Sequence, residues 1–198
     1  TIVLSNQDCQ CGTEYGETKP YRAEFLYSRF LEIRMEDLSV VAHELTHVQT
    51  PISGYRYFRS QVEGKDRRVE KSPWYDRINQ ILGVQDVFEA RDKLGERYRK
   101  NTEELYNKLP SFPTDHTDID KLPFEERERY YFYERLSDVL WDSYTAIGEF
   151  VAFLSENYVK GKAYFNRRVG ELFSEEEYQK VYNFVRDEIF HGREYPVP

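Results

Sequence analysis

Cysteine is nearly missing from this chain: 198 residues contain two, Cys9 and Cys11, separated by a single residue. A pair so placed builds no disulfide framework, so an apolar core has to hold the fold. No apolar run approaches the roughly 18 residues that a spanning helix needs, which excludes a transmembrane helix. Positive charge is short as well, with 28 Lys and Arg against 36 Asp and Glu and a formal net charge of −8. The resulting field repels polyphosphates, and nucleic acid is not an expected partner. The first residue is Thr1, with no initiator Met and no charged, apolar, small-residue signal pattern. A removed upstream segment or a trimmed chain is expected, and either origin leaves the compartment open. Aromatic residues, by contrast, are plentiful: 17 Tyr, 13 Phe and 2 Trp. Burying such side chains offsets the entropy of ordering, so the chain is expected to fold, as one domain over 1–198.

Periodicity places the elements. Ile2 to Leu4 forms a short apolar run, an expected edge strand, before a polar stretch containing Gly12, Gly16 and Pro20. Helical spacing runs from Tyr21 to about Gln49, with Met35-Glu36-Asp37 as a joint and Pro51 as the stop. Ser53 to Val62 is read as a strand and Gly64 to Ser72 as a charged surface loop. A helical pattern covers Trp74 to Leu109, with interruptions possible at Gly83 or Gly95, and the Pro-rich Ser111 to Pro123 is a loop. The clearest helix spans Phe124 to Tyr158, where Leu136, Leu140, Tyr144, Ile147, Val151, Leu154 and Tyr158 form a core-facing stripe. Gly161 and Gly170 flank a connection, and Ser174 before three Glu residues caps a last helix to about Phe190. The expected class is mainly α, or α+β with a minimal sheet drawn from Ile2 to Leu4 and Tyr55 to Val62.

Chemistry concentrates at His43-Glu44-Leu45-Thr46-His47, an H-E-x-x-H pattern. Helical positions four apart lie one turn apart on nearly the same face. Two imidazoles therefore reach one Zn²⁺, while the Glu between them reaches its water. Leu38, Val41, Ala42, Leu45 and Val48 fall on the other side, which predicts a helix that buries its apolar back and points its histidines into a cleft. Two of the 4 His in the chain are used here.

At Ser39 to Thr50 the chain resembles the zincin metallopeptidases, whose active-site helix carries this motif. The extended metzincin pattern is excluded, because Thr50 stands where Gly is needed, Gly54 where the third His would be, and the single Met, Met35, precedes the motif. Nothing downstream matches the Asp-ligand class. The resemblance therefore implies a gluzincin-like site: Zn²⁺ held by His43, His47 and a Glu, Glu44 as general base, and a peptide or protein as substrate. It also implies an active-site helix packed beside a long C-terminal helix. Two Glu compete as third ligand. Glu149 sits among small and apolar residues in Ala146 to Phe153, and Glu89, in Val87-Phe88-Glu89-Ala90-Arg91, is closer to the motif. Phe153 occupies the place of the family's usual Asp four residues after the Glu, so Asp138 or Asp142 is the candidate to orient a ligand His. His116, His191 or one of the tyrosines is the candidate donor to a developing oxyanion, and Cys9 or Cys11 could place a thiolate on zinc.

Glu44-x-x-His47 is also half of a di-iron carboxylate signature, with Glu188-x-x-His191 as a second copy and Glu89 and Glu149 as the remaining ligands. The order of motifs differs from the usual one, and His43 would have no role. A metal-free interaction domain is the remaining alternative.

Overall fold

The sequence Ala146-Ile147-Gly148-Glu149-Phe150-Val151-Ala152-Phe153-Leu154 leaves almost no polar side on a helix, and a helix apolar all round has to be enclosed by the rest of the chain. It is. In the computed structural model, which describes residues 35–59, 66–108, 119, 122–141 and 145–195, the helix Ala146–Tyr158 carries five consecutive residues, Phe150 to Leu154, at 0% exposure. Each large apolar side chain buried there stabilises the fold by about 1.5–3 kcal/mol. Its buried polar residues satisfy themselves on the same helix: Ser155 Oγ donates to Val151 O (3.2 Å) and Asn157 Nδ2 to Phe153 O (2.7 Å).

In chain order the elements are α1 (Met35–Gln49), β1 (Gly54–Arg59), β2 (Asp66–Lys71), α2 (Pro73–Leu82), α3 (Val87–Lys108), α4 (Phe124–Trp141), α5 (Ala146–Tyr158), α6 (Lys162–Arg168), a 3-10 turn (Val169–Leu172), α7 (Glu175–Asn183) and a π-helical turn (Phe184–Ile189). Helices α1, α2, α3, α4 and α6 and the π-helical turn all pack against α5. The mainly helical class with a minimal sheet, expected from composition and spacing, is what this arrangement has.

Four expectations need correction. The long helix Phe124 to Tyr158 is two helices, α4 and α5, with Thr145 in a turn before α5. Leu136, Ile147, Val151, Leu154 and Tyr158 are nonetheless all buried, since a periodic stripe records phase and not continuity. The sheet is the antiparallel pair β1 and β2, in register from Gly54↔Lys71 to Arg59↔Asp66, so much of the stretch read as a charged loop is a strand. Of the described side chains in Asp66–Lys71 only Val69 is buried, at 5%; a two-stranded ribbon has little to bury, and its charges hide the alternation. The connection between Gly161 and Gly170 is helical, closed onto the core by Phe165 and Val169. The fourth concerns which face of α1 is buried and is described below. The strand expected at Ile2 to Leu4 lies outside the described residues.

Caps set the boundaries. Gly83, at φ 67°, ends α2 by donating its N–H to carbonyls of the last turn, a left-handed position that Gly adopts without a side-chain clash. Gly95, the other candidate break, lies inside α3. Ser174 and Glu177 form a reciprocal capping box at α7, as the Ser-Glu-Glu-Glu run predicts.

Candidate metal centre

Helix α1 and helix α5 lie against each other, and the side chains that meet between them are polar. The buried face of α1 is Ser39, Ala42, His43 and Thr46, whereas Leu38, Val41 and Leu45 are half-buried and Val48 is 53% exposed. The histidines face α5, as expected of a cleft between the two helices, but of the apolar back only Ala42 is buried, and the polar face packs inward instead. It does so because its polar atoms find partners. Thr46 Oγ1 donates back to Ala42 O (2.7 Å), and both ring nitrogens of His43 lie against carboxylates of α5. A buried polar face costs little when it is so matched.

His43, His47 and Glu149 come together. His43 Nε2 lies 3.2 Å from His47 Nε2 and 3.3 Å from Glu149 Oε2, and His47 Nε2 lies 3.4 Å from Glu149 Oε1. The two rings meet edge to face, centroids 4.9 Å apart. These spacings test whether a metal ion fits. Zinc bonds of about 2.0–2.1 Å meeting at a tetrahedral angle place neighbouring ligand atoms about 3.3–3.4 Å apart. The two imidazole nitrogens stand at about that spacing, each lies as close to a different oxygen of Glu149, and one ligand atom from each residue falls within 4.8 Å of the others; two imidazoles and a carboxylate are donors that suit zinc. Among the described residues this is the one group of three or more His, Cys, Asp or Glu that converges in this way.

The group is closed on one side and open on the other. His43 has 7% of its side chain exposed, His47 26% and Glu149 34%. Behind His43, Glu156 Oε2 stands 3.2 Å from Nδ1, a close charged contact without the alignment of a hydrogen bond. Glu156 is itself approached by Arg135 (3.5 Å) and Lys160 (3.8 Å). Burial favours the neutral form of His43, but Glu149 and Glu156 outweigh it and push the pKa up from 6.5 to about 9. Burial likewise works against the charged form of Glu149, yet contacts with His43 and His47 hold its carboxyl well below the usual carboxylate range. Burial and the same opposing forces act on Glu156, where His43, Lys160 and Arg135 prevail and lower the pKa.

Glu44 follows His43 on α1 and is half-buried. The other expected site residues lie elsewhere. Glu89 is exposed and accepts the Gln85 N–H (2.8 Å), while Asp86 Oδ1 accepts from the N–H groups of Phe88 and Glu89. Asp86 thus caps α3, and Glu89 reaches back to the residue before the cap, a use of an acidic residue that spacing from the motif does not reveal. Asp138 is exposed, and the carboxylate beside His43 is Glu156 instead. Glu188 pairs with Arg77 (3.3 Å), and His191 is exposed at φ 51°, so Glu188-x-x-His191 does not join Glu44-x-x-His47. Cys9, Cys11, His116 and Asp142 lie outside the described residues.

Two contributors escape the sequence reading. Glu156 is two helical turns after Glu149, and this spacing of seven on one helix is the signal that could have found it. Tyr75, on α2, is buried at 7% exposure, and its hydroxyl oxygen lies 2.8 Å from where a Cβ on Gly148 would stand. Burial pushes its pKa up, and the charges of Glu70 and Glu149 add to the effect, so the phenol keeps its proton beside the carboxylate ligand. Nothing in the spacing of 17 Tyr singles it out. Compared with protein-family models, curated proteins and solved structures, the chain finds no match in any of the three, which leaves geometry as the ground for a functional assignment.

Proposed function

We propose that this chain is a zinc-dependent peptidase with His43, His47 and Glu149 as metal ligands and Glu44 as the general base. The observation that carries the proposal is the convergence of the two imidazoles of an H-E-x-x-H helix, 3.2 Å apart, on the Glu149 carboxylate of the facing helix, whose two oxygens lie 3.3 and 3.4 Å from them. Bound there, Zn²⁺ would supply Lewis acidity, lowering the pKa of a water toward about 7 and polarising a carbonyl. The remaining work falls to side chains. Glu44 takes the proton of the attacking water and passes it to the departing amine, a role that suits a carboxylate one residue from a ligand. Glu156 holds the ring of His43 in one orientation from behind, the service usually given by a carboxylate on the far nitrogen of a ligand His. The exposed edge of His47 and Glu149 is where a peptide enters.

Metal content and activity together test the proposal. The purified chain is expected to carry one zinc and to cleave an unstructured protein substrate, with Glu44→Gln retaining the metal and losing the activity. His47→Ala is expected to lose both. Two equivalents of iron would favour the di-iron alternative, and no metal in native or zinc-supplemented protein would leave an interaction domain.

A further inference from the structure

Tyr75 also lines a concavity to which none of the metal ligands contributes. The hairpin strand β2, one face of α2 and the turn into α3 enclose a cavity of about 260 Å³. This is below the roughly 300–1,000 Å³ of pockets that hold a whole drug-sized ligand, and it suits a single side chain. Asn79 lines it, is 94% buried by its 6% exposure, and its side-chain oxygen has no hydrogen-bond partner. A buried amide oxygen left unpaired keeps its full desolvation cost, which a ligand donating an N–H would remove.

The charge around the cavity indicates the kind of donor. Glu70, Asp76 and Asp86 line it, against Lys71 and Arg56. Of these, Asp86 is committed to capping α3 and Glu70 faces Tyr75. Arg56 is engaged with a neighbour. Asp76 is exposed at the start of α2, available to a cation arriving from solvent. An unpaired carbonyl oxygen at depth and a carboxylate at the rim match a group that is all donor and positively charged, an ammonium or a guanidinium. Tyr75 is shared by the two regions: it lines the cavity, and its hydroxyl oxygen stands 2.8 Å from where a Cβ on Gly148, next to Glu149, would be.

We propose that this cavity is a subsite for a basic side chain, Lys or Arg, of the peptide whose backbone lies at His43, His47 and Glu149. The proposal rests on the peptidase assignment for the identity of the larger molecule, but not for the binding of the cation. Titration of the full-length protein with N-acetyl-argininamide, N-acetyl-lysinamide and N-acetyl-norleucinamide, followed by calorimetry, separates the two. Alaninamide, with a free α-amino group, distinguishes a side-chain cation from a peptide N-terminus. At least one of the two side-chain cations is expected to bind, and norleucinamide is not. Asn79→Leu is expected to weaken that binding about tenfold without lowering Tm, since it removes an unsatisfied oxygen; Asp76→Asn, on the surface, is expected to weaken it several-fold. Equal binding of the norleucine probe, tighter binding of alaninamide than of either side-chain cation, or unchanged affinity in both variants would overturn the subsite. Peptide assays complete the distinction. Cleavage with no preference for Lys or Arg over norleucine sinks the subsite and leaves the peptidase standing, whereas variant-sensitive cation binding in a chain that cleaves nothing leaves the cavity and sinks the peptidase.

Discussion

His43 shows what a single residue has to satisfy here. Nearly enclosed, it places one nitrogen toward His47 and Glu149 and the other toward Glu156, so each of its polar atoms faces a group that suits it only in one ring orientation. Removing the rear carboxylate should therefore affect metal binding without touching a ligand. Glu156→Gln is expected to weaken zinc affinity by about 10–100-fold, the usual effect of losing the carboxylate that orients a ligand His. Competition with a chromophoric chelator measures it, and a variant that binds zinc like the parent would remove Glu156 from the site. The positions of His43, Glu44 and His47 are readable from the motif, because a metal site on one helical turn is local in sequence. Glu149 is readable less directly, from small and apolar neighbours that leave room for a facing helix. Glu156 has no such surroundings: it precedes Asn157 in an ordinary helix end, and only the proximity of α1 makes its carboxylate special. Glu89 illustrates the converse, a carboxylate well placed in sequence and occupied at the start of α3, where it reaches back to the residue before the cap at Asp86.

At the scale of elements, the site depends on how closely α2 approaches α5. Gly148 allows this, since any Cβ there would meet the Tyr75 hydroxyl oxygen at 2.8 Å and its ring carbon at 3.3 Å. Gly148→Ala is expected to destabilise the protein by about 1–3 kcal/mol, because the buried ring has to shift against a packed core. Combining it with Tyr75→Phe removes the nearest atom, and part of the loss should return. A denaturant-unfolding cycle over the two singles and the double tests this; strictly additive effects would mean that the two groups do not meet. The same scale explains which elements periodicity could locate. Helix α7 is legible because its signal is chemical and local, a Ser followed three positions later by Glu177, each satisfying the other's backbone. The hairpin is poorly legible because β2 carries charge at every position but Val69, the one buried side chain among those described there. The burial of the histidine face of α1 is hidden in the sequence for a related reason. Hydrophobicity predicts burial only when polar groups lack partners, and on this face Glu149 and Glu156 supply them from another element.

Across the whole molecule, the side of the fold built by α3, α4, α6 and α7 is held by an ionic belt. Arg168, 4% exposed, donates to Glu128 and to Glu125 O on α4 and to Glu171 in the 3-10 turn. Glu171 also accepts from Arg129 and the Tyr133 hydroxyl, and Asn101 of α3 donates to its backbone carbonyl (2.8 Å). Cutting Arg168 to Leu removes the buried cation that two partly buried carboxylates share, leaving Glu171 with Arg129 and Glu128 with the more exposed Arg167. The expected cost is about 3–5 kcal/mol in global stability, with zinc affinity of the folded protein unchanged. The belt continues to α7, where Arg97 donates to Leu172 O (3.0 Å) and to Glu177 Oε1 (2.7 Å). Burial works against the charged form of Glu177, but Arg97 and Ser174 prevail and lower its pKa from 4.5 to about 2. A carboxyl with a pKa lower in the folded than in the unfolded chain binds fewer protons when folded, so it stabilises the fold at pH values above its unfolded pKa. That contribution is complete above about pH 4.5 and disappears as the pH falls toward about 2. Glu177→Gln abolishes the titrating group while keeping a polar partner for Arg97. The variant is therefore expected to be less stable than the parent at pH 6 and to approach it progressively between pH 4.5 and 2. Urea midpoints measured along that range decide the matter, and a stability gap that stays constant with pH would place the stabilising effect of Glu177 in packing and not in its charge.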